Sequence, residues 1–248
     1  MAIPLLGPVI ALAALAAAAL GYRFGRDVWS WITRTRPPAA ARARLRVLVA
    51  GPTGIGKTTL INRILGSDLG AAGEGEPMTP GVAWLGREGF PVWFADTKGI
   101  EIAAAAAQVD DLRRHLEAWD PAERPHVAWL CVQADAARVM DAADAARGSV
   151  LGTEGELGRL LDAQGVPVLV VITQADLDGE LRARMERSCR AVFAYARAVV
   201  ALCAEPRTRQ GRVLVPSHGL AALRRETLAL APEALRAATA RDWPEPGA

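Results

Sequence analysis

Gly51-Pro52-Thr53-Gly54-Ile55-Gly56-Lys57-Thr58 places four free positions between a glycine and a Gly-Lys-Thr triplet. That spacing suits chemistry on phosphate. Glycines let the backbone curl so that successive N–H groups, and the positive end of the helix that follows, face phosphate oxygens. Gly51, Thr53, Gly54, Ile55, Gly56 and Thr59 are therefore candidate nucleotide contacts. Lys57 would reach the outer phosphates and stabilise charge there, and the Thr58 hydroxyl would ligate Mg²⁺. A glycine-rich turn without a ligand uses the same residue types, so the flanks matter. The apolar, β-prone run Leu45 to Ala50 precedes the loop and Thr59 to Leu65 follows with helical spacing, the context that the motif requires.

The chain has 29 basic residues, and only Lys57 and Lys98 among them are lysines. A compact ammonium on a flexible stem fits among phosphates where a planar guanidinium is too broad. Lys57 has that role to play; for Lys98, retention by chance is the competing account.

Further candidates lie downstream. Asp96-Thr97-Lys98-Gly99 follows the candidate strand Val92 to Ala95, where a carboxylate can serve Mg²⁺ and the Gly99 amide can touch a γ-phosphate. The stretch Gly66 to Gly81 is polar and glycine-rich. Its hydroxyl residues are Ser67, placed to cap the preceding helix, and Thr79, a candidate switch residue for Mg²⁺ and γ-phosphate that also fits an ordinary turn. Thr173-Gln174-Ala175-Asp176 closes the run Val166 to Ile172. A carboxylate at Asp176 can accept from the ring N–H and exocyclic amine of guanine, an edge adenine lacks, although a helix cap is the plainer role. Ser217, in Val215-Pro216-Ser217-His218-Gly219, could help offer backbone N–H groups to the base.

These residues need a scaffold. Candidate strands are Leu45 to Ala50, Val82 to Leu85, Val92 to Ala95, Val127 to Val132, Val166 to Ile172 and Val213 to Val215. Candidate helices are Lys57 to Leu65, Gln108 to Trp119, a pair within Asp135 to Gln164, Glu180 to Ala204, Leu220 to Ala229 and Glu233 to Arg241. The alternation predicts an α/β fold, a mostly parallel sheet covered on both faces. Phe193, Val199, Val200 and Leu202 read as the core face of the long helix. A linker is expected over residues 35–44, a nucleotide-binding domain over 45–231, and a C-terminal helix with a frayed tail from Trp243 over 232–248. A net charge of +2 is too small to argue for nucleic acid. Cys131, Cys189 and Cys203 show no metal spacing and fall in apolar or helical stretches, as buried thiols in a reducing compartment would. His115, His126 and His218 form no readable triad or metal set.

Residues 1–34 read as an anchor helix with a basic flank. Ile3 to Tyr22 carries no charge, and at about 1.5 Å per residue it is long enough to cross a hydrocarbon layer of about 30 Å. Arg23, Arg26, Arg34, Arg36, Arg42, Arg44 and Arg46 follow, which places that side in the cytoplasm. An alanine-rich helix packed on protein, or a cleaved signal peptide, are the competing accounts.

The order of motifs resembles the translation-factor-related P-loop GTPases, particularly the bacterial Era-like group and relatives whose second motif reads Asp-Thr-Lys-Gly. The resemblance covers about Leu45 to Leu230. It implies a six-stranded Ras-like sheet with one antiparallel edge strand, Mg²⁺-dependent GTP and GDP binding, and switching around Thr79 and Gly99. Three departures stand out: Gln174 replaces the lysine of the base motif, which predicts weaker base binding; Ser217 matches the last motif only loosely; and Ile100 stands where Ras-type enzymes carry a water-orienting glutamine, which predicts slow hydrolysis. Gly54 occupies the position where potassium-activated relatives carry asparagine. The missing group would come from an activating protein, a homodimer partner, Lys98 or Thr53.

The leading expectation is a membrane-tethered, slow GTPase on the inner face of a bacterial membrane. A GTP-dependent scaffold with little hydrolysis is the first alternative, favoured by Ile100. A P-loop ATPase is the second, motivated by Gln174.

Overall fold

A computed structural model describes residues 37–51, 54–66, 82–97, 123–133, 150–175 and 179–245. Along the chain these form α1 (Ala39–Arg42), β1 (Leu45–Ala50), α2 (Lys57–Leu65), β2 (Val82–Leu85), β3 (Val92–Thr97), β4 (Val127–Gln133), α3 (Val150–Ala163), β5 (Val168–Thr173), α4 (Gly179–Val192), β6 (Ala198–Ala201), β7 (Arg207–Arg209), β8 (Arg212–Val215), α5 (Leu220–Leu230) and α6 (Glu233–Asp242). Strands one to six make one sheet in the order β2-β3-β1-β4-β5-β6. Only β2 runs antiparallel, to β3; the other neighbours are parallel. The expected six-stranded α/β sheet with an antiparallel edge is thus present.

Every residue of β1 and β5 is buried, because parallel strands are covered on both faces. Alternate side chains divide between two cores. Leu48, Leu130, Val170 and Ile172 meet Leu161 of α3, Met185 of α4 and Phe193 on one face. Val47, Val49, Phe94, Trp129 and Val171 meet Leu60 and Ile61 of α2 and Leu223 of α5 on the other. Within the second core the Trp129 indole N–H donates to Thr227 Oγ1 at 3.1 Å, and that hydroxyl donates to the Leu223 carbonyl at 2.7 Å. The buried N–H is satisfied, and α5 is fixed to β4.

Two expected elements are corrected. The helix expected over Glu180 to Ala204 ends at Val192, and Ala198–Ala201 instead forms β6, paired with β5 from Leu169↔Ala198 to Ile172↔Ala201. No glycine or proline marks the break. Val199 joins one core and Val200 the other, so consecutive apolar residues serve two faces of a strand. The burial expected of Phe193, Val199, Val200 and Leu202 holds even though their helix does not. Conversely, Val213 to Val215 is a strand, as expected, but not one of the six-stranded sheet. It belongs to β8, paired only with β7 in a separate two-stranded hairpin, and Val213 and Leu214 are exposed. Gln210 and Gly211 both have positive φ, +51° and +76°, the geometry that two-residue hairpin turns favour.

The tail is also corrected at its first residue. Trp243 is buried, meets Phe90 edge-on at 6.2 Å, and its carbonyl accepts from Arg224 Nε at 3.0 Å. All three cysteines are free and buried, as expected.

At the amino ends of the central strands Arg46 is only 3% exposed, so it does not belong with the surface charges of the basic flank. Its guanidinium donates to the carbonyls of Arg42 at 2.8 Å and Arg124 at 3.1 Å. Beside it, His126 Nδ1 accepts from the Arg46 backbone N–H at 3.1 Å. Burial, reinforced by the Arg46 charge, lowers the His126 pKa from 6.5 to about 4. The unfolded chain therefore binds more protons between those values, so stability is fully present above about pH 6.5 and is lost as pH falls through 4. The ring is only partly buried, so we expect a loss of about 1–2 kcal/mol, less than the full shift would give. Urea denaturation between neutral pH and pH 4 should show a smaller pH dependence for His126→Gln; an unchanged dependence would refute it.

Among the described residues no helix is long and apolar enough to cross a membrane. Ile3 to Tyr22, Gln108 to Trp119 and the first half of Asp135 to Gln164 lie outside them.

Candidate functional site

β1 lies between β3 and β4, so the chain leaves it in one direction and later returns on its other side. The carboxyl ends of strands at such a switch point form a crevice that suits a ligand. The loop that begins at Gly51 leaves β1 there. Gly51 has φ +143°, and a β-carbon on it would collide with the Cys131 carbonyl of β4. Gly56, at φ +87°, is the left-handed residue from which α2 starts. It has no side chain to cap the first-turn N–H groups, and Leu60 N–H is the first to bond back, to the Gly56 carbonyl at 2.9 Å. Donors at this terminus therefore face the loop.

Lys57 is only 6% exposed, and its Nζ donates to the Gly51 carbonyl at 2.8 Å. The ammonium thus bridges the two ends of the loop. Thr58 Oγ1 donates to Asp96 Oδ2 at 2.7 Å, and Asp96 is fully buried at the end of β3. A hydroxyl and a carboxylate oxygen brought together beside a helix N-terminus are hard donors of the kind Mg²⁺ takes, so these residues fit that ion. No cluster of three or more His, Cys, Asp or Glu suited to a metal occurs among the described residues. Ile55 is buried against the core, which leaves its backbone to act, whereas Gly54 and Thr59 are exposed. Thr53, Thr79, Gly99 and Asp176 lie outside the described residues, as do Lys98 and Ile100.

The end of β5 lies next to this loop. Thr173 is buried and donates its hydroxyl to the Val132 carbonyl at 3.1 Å, so it fixes the strand end. Gln174 adopts φ +53°, and its Nε2 would lie 3.7 Å from a β-carbon on Gly56, over the loop. Ala175 N–H donates to the Leu202 carbonyl at 3.0 Å, which joins this turn to the end of β6.

Sequence reasoning did not assign Leu202, Cys203 or the His218 contacts to this site. Leu202 and Cys203 flank the site because Ala198–Ala201 is a strand; the adjacent β-branched pair Val199-Val200 was the available signal. His218 Nε2 lies 3.0 Å from the Ala175 carbonyl, and His218 exchanges two backbone bonds with Cys203. Ser217 is therefore brought to the same corner, carried by the bridge at His218 and not by the strand expected before it.

Neither a protein family nor a curated protein sequence matches the chain. Among solved structures it is similar to a probable GTP-binding protein EngB, with 18% identity and a TM-score of 0.45 over 64% of this chain and 89% of that one. It is similar to a point variant of Aquifex aeolicus Era bound to GDP·AlF4⁻, with 19% identity and a TM-score of 0.45, over 76% of this chain and 57% of that one. A structure of the chloroplast translocon GTPases atToc33 and psToc159 gives 18% identity and a TM-score of 0.48 over 77% and 84%. At these levels the chemistry has to rest on the chain's own residues.

Proposed function

We propose that this chain is a membrane-tethered guanine-nucleotide switch that binds GTP and GDP with Mg²⁺ and hydrolyses GTP slowly. The observation that carries the reading is the convergence, at the sheet's switch point, of the Lys57-closed loop, the open N-terminus of α2 and the Thr58–Asp96 pair. Lys57 and the α2 N–H groups hold the phosphates; Thr58 and Thr79 would hold Mg²⁺ and Asp96 would bind it through water, and the ion would neutralise phosphate charge. Gly99 offers its amide to the γ-phosphate. Asp176 supplies the guanine-reading carboxylate, and it follows Thr173, which bonds to β4, and Ala175, which bonds to Leu202 just after β6. Positioning and electrostatics carry phosphoryl transfer to water. With Ile100 after Gly99, turnover is slow until an activating protein or a second copy supplies the missing group. The uncharged run Ile3 to Tyr22 with the arginines after it supports a single-pass anchor in a bacterial inner membrane, the nucleotide domain facing the cytoplasm.

The test is titration of the full chain, in mild detergent, with GTP, GDP and ATP in Mg²⁺. We expect both guanine nucleotides to bind at least about tenfold more tightly than ATP, since a carboxylate that adenine leaves unpaired discriminates strongly. Equal ATP affinity would overturn the guanine reading in favour of an ATPase. Membrane sedimentation of the full chain, compared with one beginning after Pro38, tests the tether; a full chain that stays in the supernatant refutes it. Ile100 also supports a second reading, a GTP-dependent scaffold. Phosphate release in a single turnover supports the switch, and none in the presence of membranes and candidate partners supports the scaffold.

A further inference from the structure

The hairpin β7–β8 leaves the domain directly after the end of β6, beside the turn Thr173–Ala175, and all of Arg207, Arg209 and Arg212 on it are exposed. Arginines on a projecting hairpin ordinarily point into solvent. Arg207 instead turns back, and its Nη2 reaches Gln174 Oε1 at 3.5 Å. The same oxygen accepts from Gln133 Nε2, at the end of β4, at 3.3 Å. One amide oxygen thus gathers a donor from the sheet and a guanidinium from the hairpin, on a side chain whose Nε2 would lie 3.7 Å from a β-carbon on Gly56 of the phosphate loop.

A nucleotide with its phosphates at the α2 N-terminus and its base at the end of β5 passes under this group. Gln174 is short and neutral, and it offers the flat face of a purine little area and no charge. A guanidinium is planar, delocalised and weakly hydrated, and it stacks on aromatic faces. Its aliphatic stem adds apolar cover. We infer that Arg207 is a nucleotide-binding residue, its guanidinium lying over the purine face with Gln174 as its positioning partner, so that β7–β8 forms one wall of the site. This rests on the guanine-nucleotide reading above.

Dissociation constants for GTP and GDP, measured on the full chain and on Arg207→Ala, test it. The expected result is a loss of about tenfold for both nucleotides, since a stacked base is common to them. Arg212→Ala, on the other strand of the hairpin, should bind within about twofold of wild type, and thermal midpoints without nucleotide should agree because Arg207 packs into no core. Gln174→Lys puts a cation on the turn itself, so in that background Arg207→Ala should cost less than about twofold. An unchanged affinity in Arg207→Ala, or a loss confined to GTP, would overturn the inference, the second because it marks a γ-phosphate contact. Equal losses in Arg212→Ala would also overturn it, as a general charge effect. If wild type binds neither nucleotide, the guanine-nucleotide reading falls and takes this inference with it, whereas failure in Arg207→Ala alone leaves that reading intact.

Discussion

Lys57→Ala weakens GTP and GDP binding by at least about 100-fold while the protein stays folded; at a few ångströms from a phosphate, in surroundings of intermediate polarity, one charge contributes about 4 kcal/mol, of which water recovers part. The structure places this charge before any ligand arrives. Its Nζ is held at 2.8 Å by the Gly51 carbonyl, in a side chain 6% exposed. Little entropy is then left to lose on binding, so most of the electrostatic gain appears as affinity. Stability should barely change or should rise slightly, because burying an ammonium is itself costly. Lys57→Arg should not rescue binding, since a planar guanidinium cannot follow the narrow path that the amine takes to Gly51. Isothermal titration beside thermal denaturation separates the two effects, and a folded Lys57→Ala protein that binds within threefold of wild type would refute the assigned role.

Gly51→Ala should damage both the fold and the site, although it adds a single methyl group. Two costs add. A φ of +143° is unfavourable for any side chain, and the new β-carbon would collide with the Cys131 carbonyl while lying 2.8 Å from Ile55 Cδ1. Backbone in a buried central strand cannot step aside, so the collision outweighs the dihedral strain. Together they should cost about 2–4 kcal/mol, lowering the thermal midpoint by on the order of 10 °C and abolishing nucleotide binding. Gly54→Ala is the control, because at φ +80° its β-carbon would meet nothing within 4 Å. It carries strain alone, about 1 kcal/mol. Equal midpoints for the two variants would show that the contact with β4 does not govern the loop.

The phosphate side of the site was legible in the sequence because its requirements are local. Strand, glycine turn and helix occupy Leu45 to Leu65 without a gap, and both element boundaries agree with the structure. Asp96 was legible for a related reason: β3 leads straight to it, and the parallel register that sets Val49 opposite Asp96 brings it to the loop. The base side was not, because its parts meet only through long-range pairing. Helical spacing and strand alternation compete over Val199 and Val200, and the deciding fact is the vacant edge of β5, which no local pattern displays. β6 fills that edge, and the later run Val213 to Val215 pairs with Arg207–Arg209 instead. Arg207 could not be singled out from many arginines by type. The burial of Trp243 depends on Phe90, which stands far earlier in the chain.

The contact between Gly51 and Cys131 also has a consequence for biosynthesis. β4 bears on the loop through Cys131, and two residues earlier Trp129 is fastened to α5 by Thr227. The ribosome makes the phosphate loop early, yet what holds the loop at its proper height includes residue 227. A nascent chain ending before α5 carries the whole motif without its finished support, so competence to take up nucleotide comes late in synthesis. The first part of the site to be translated is among the last to mature.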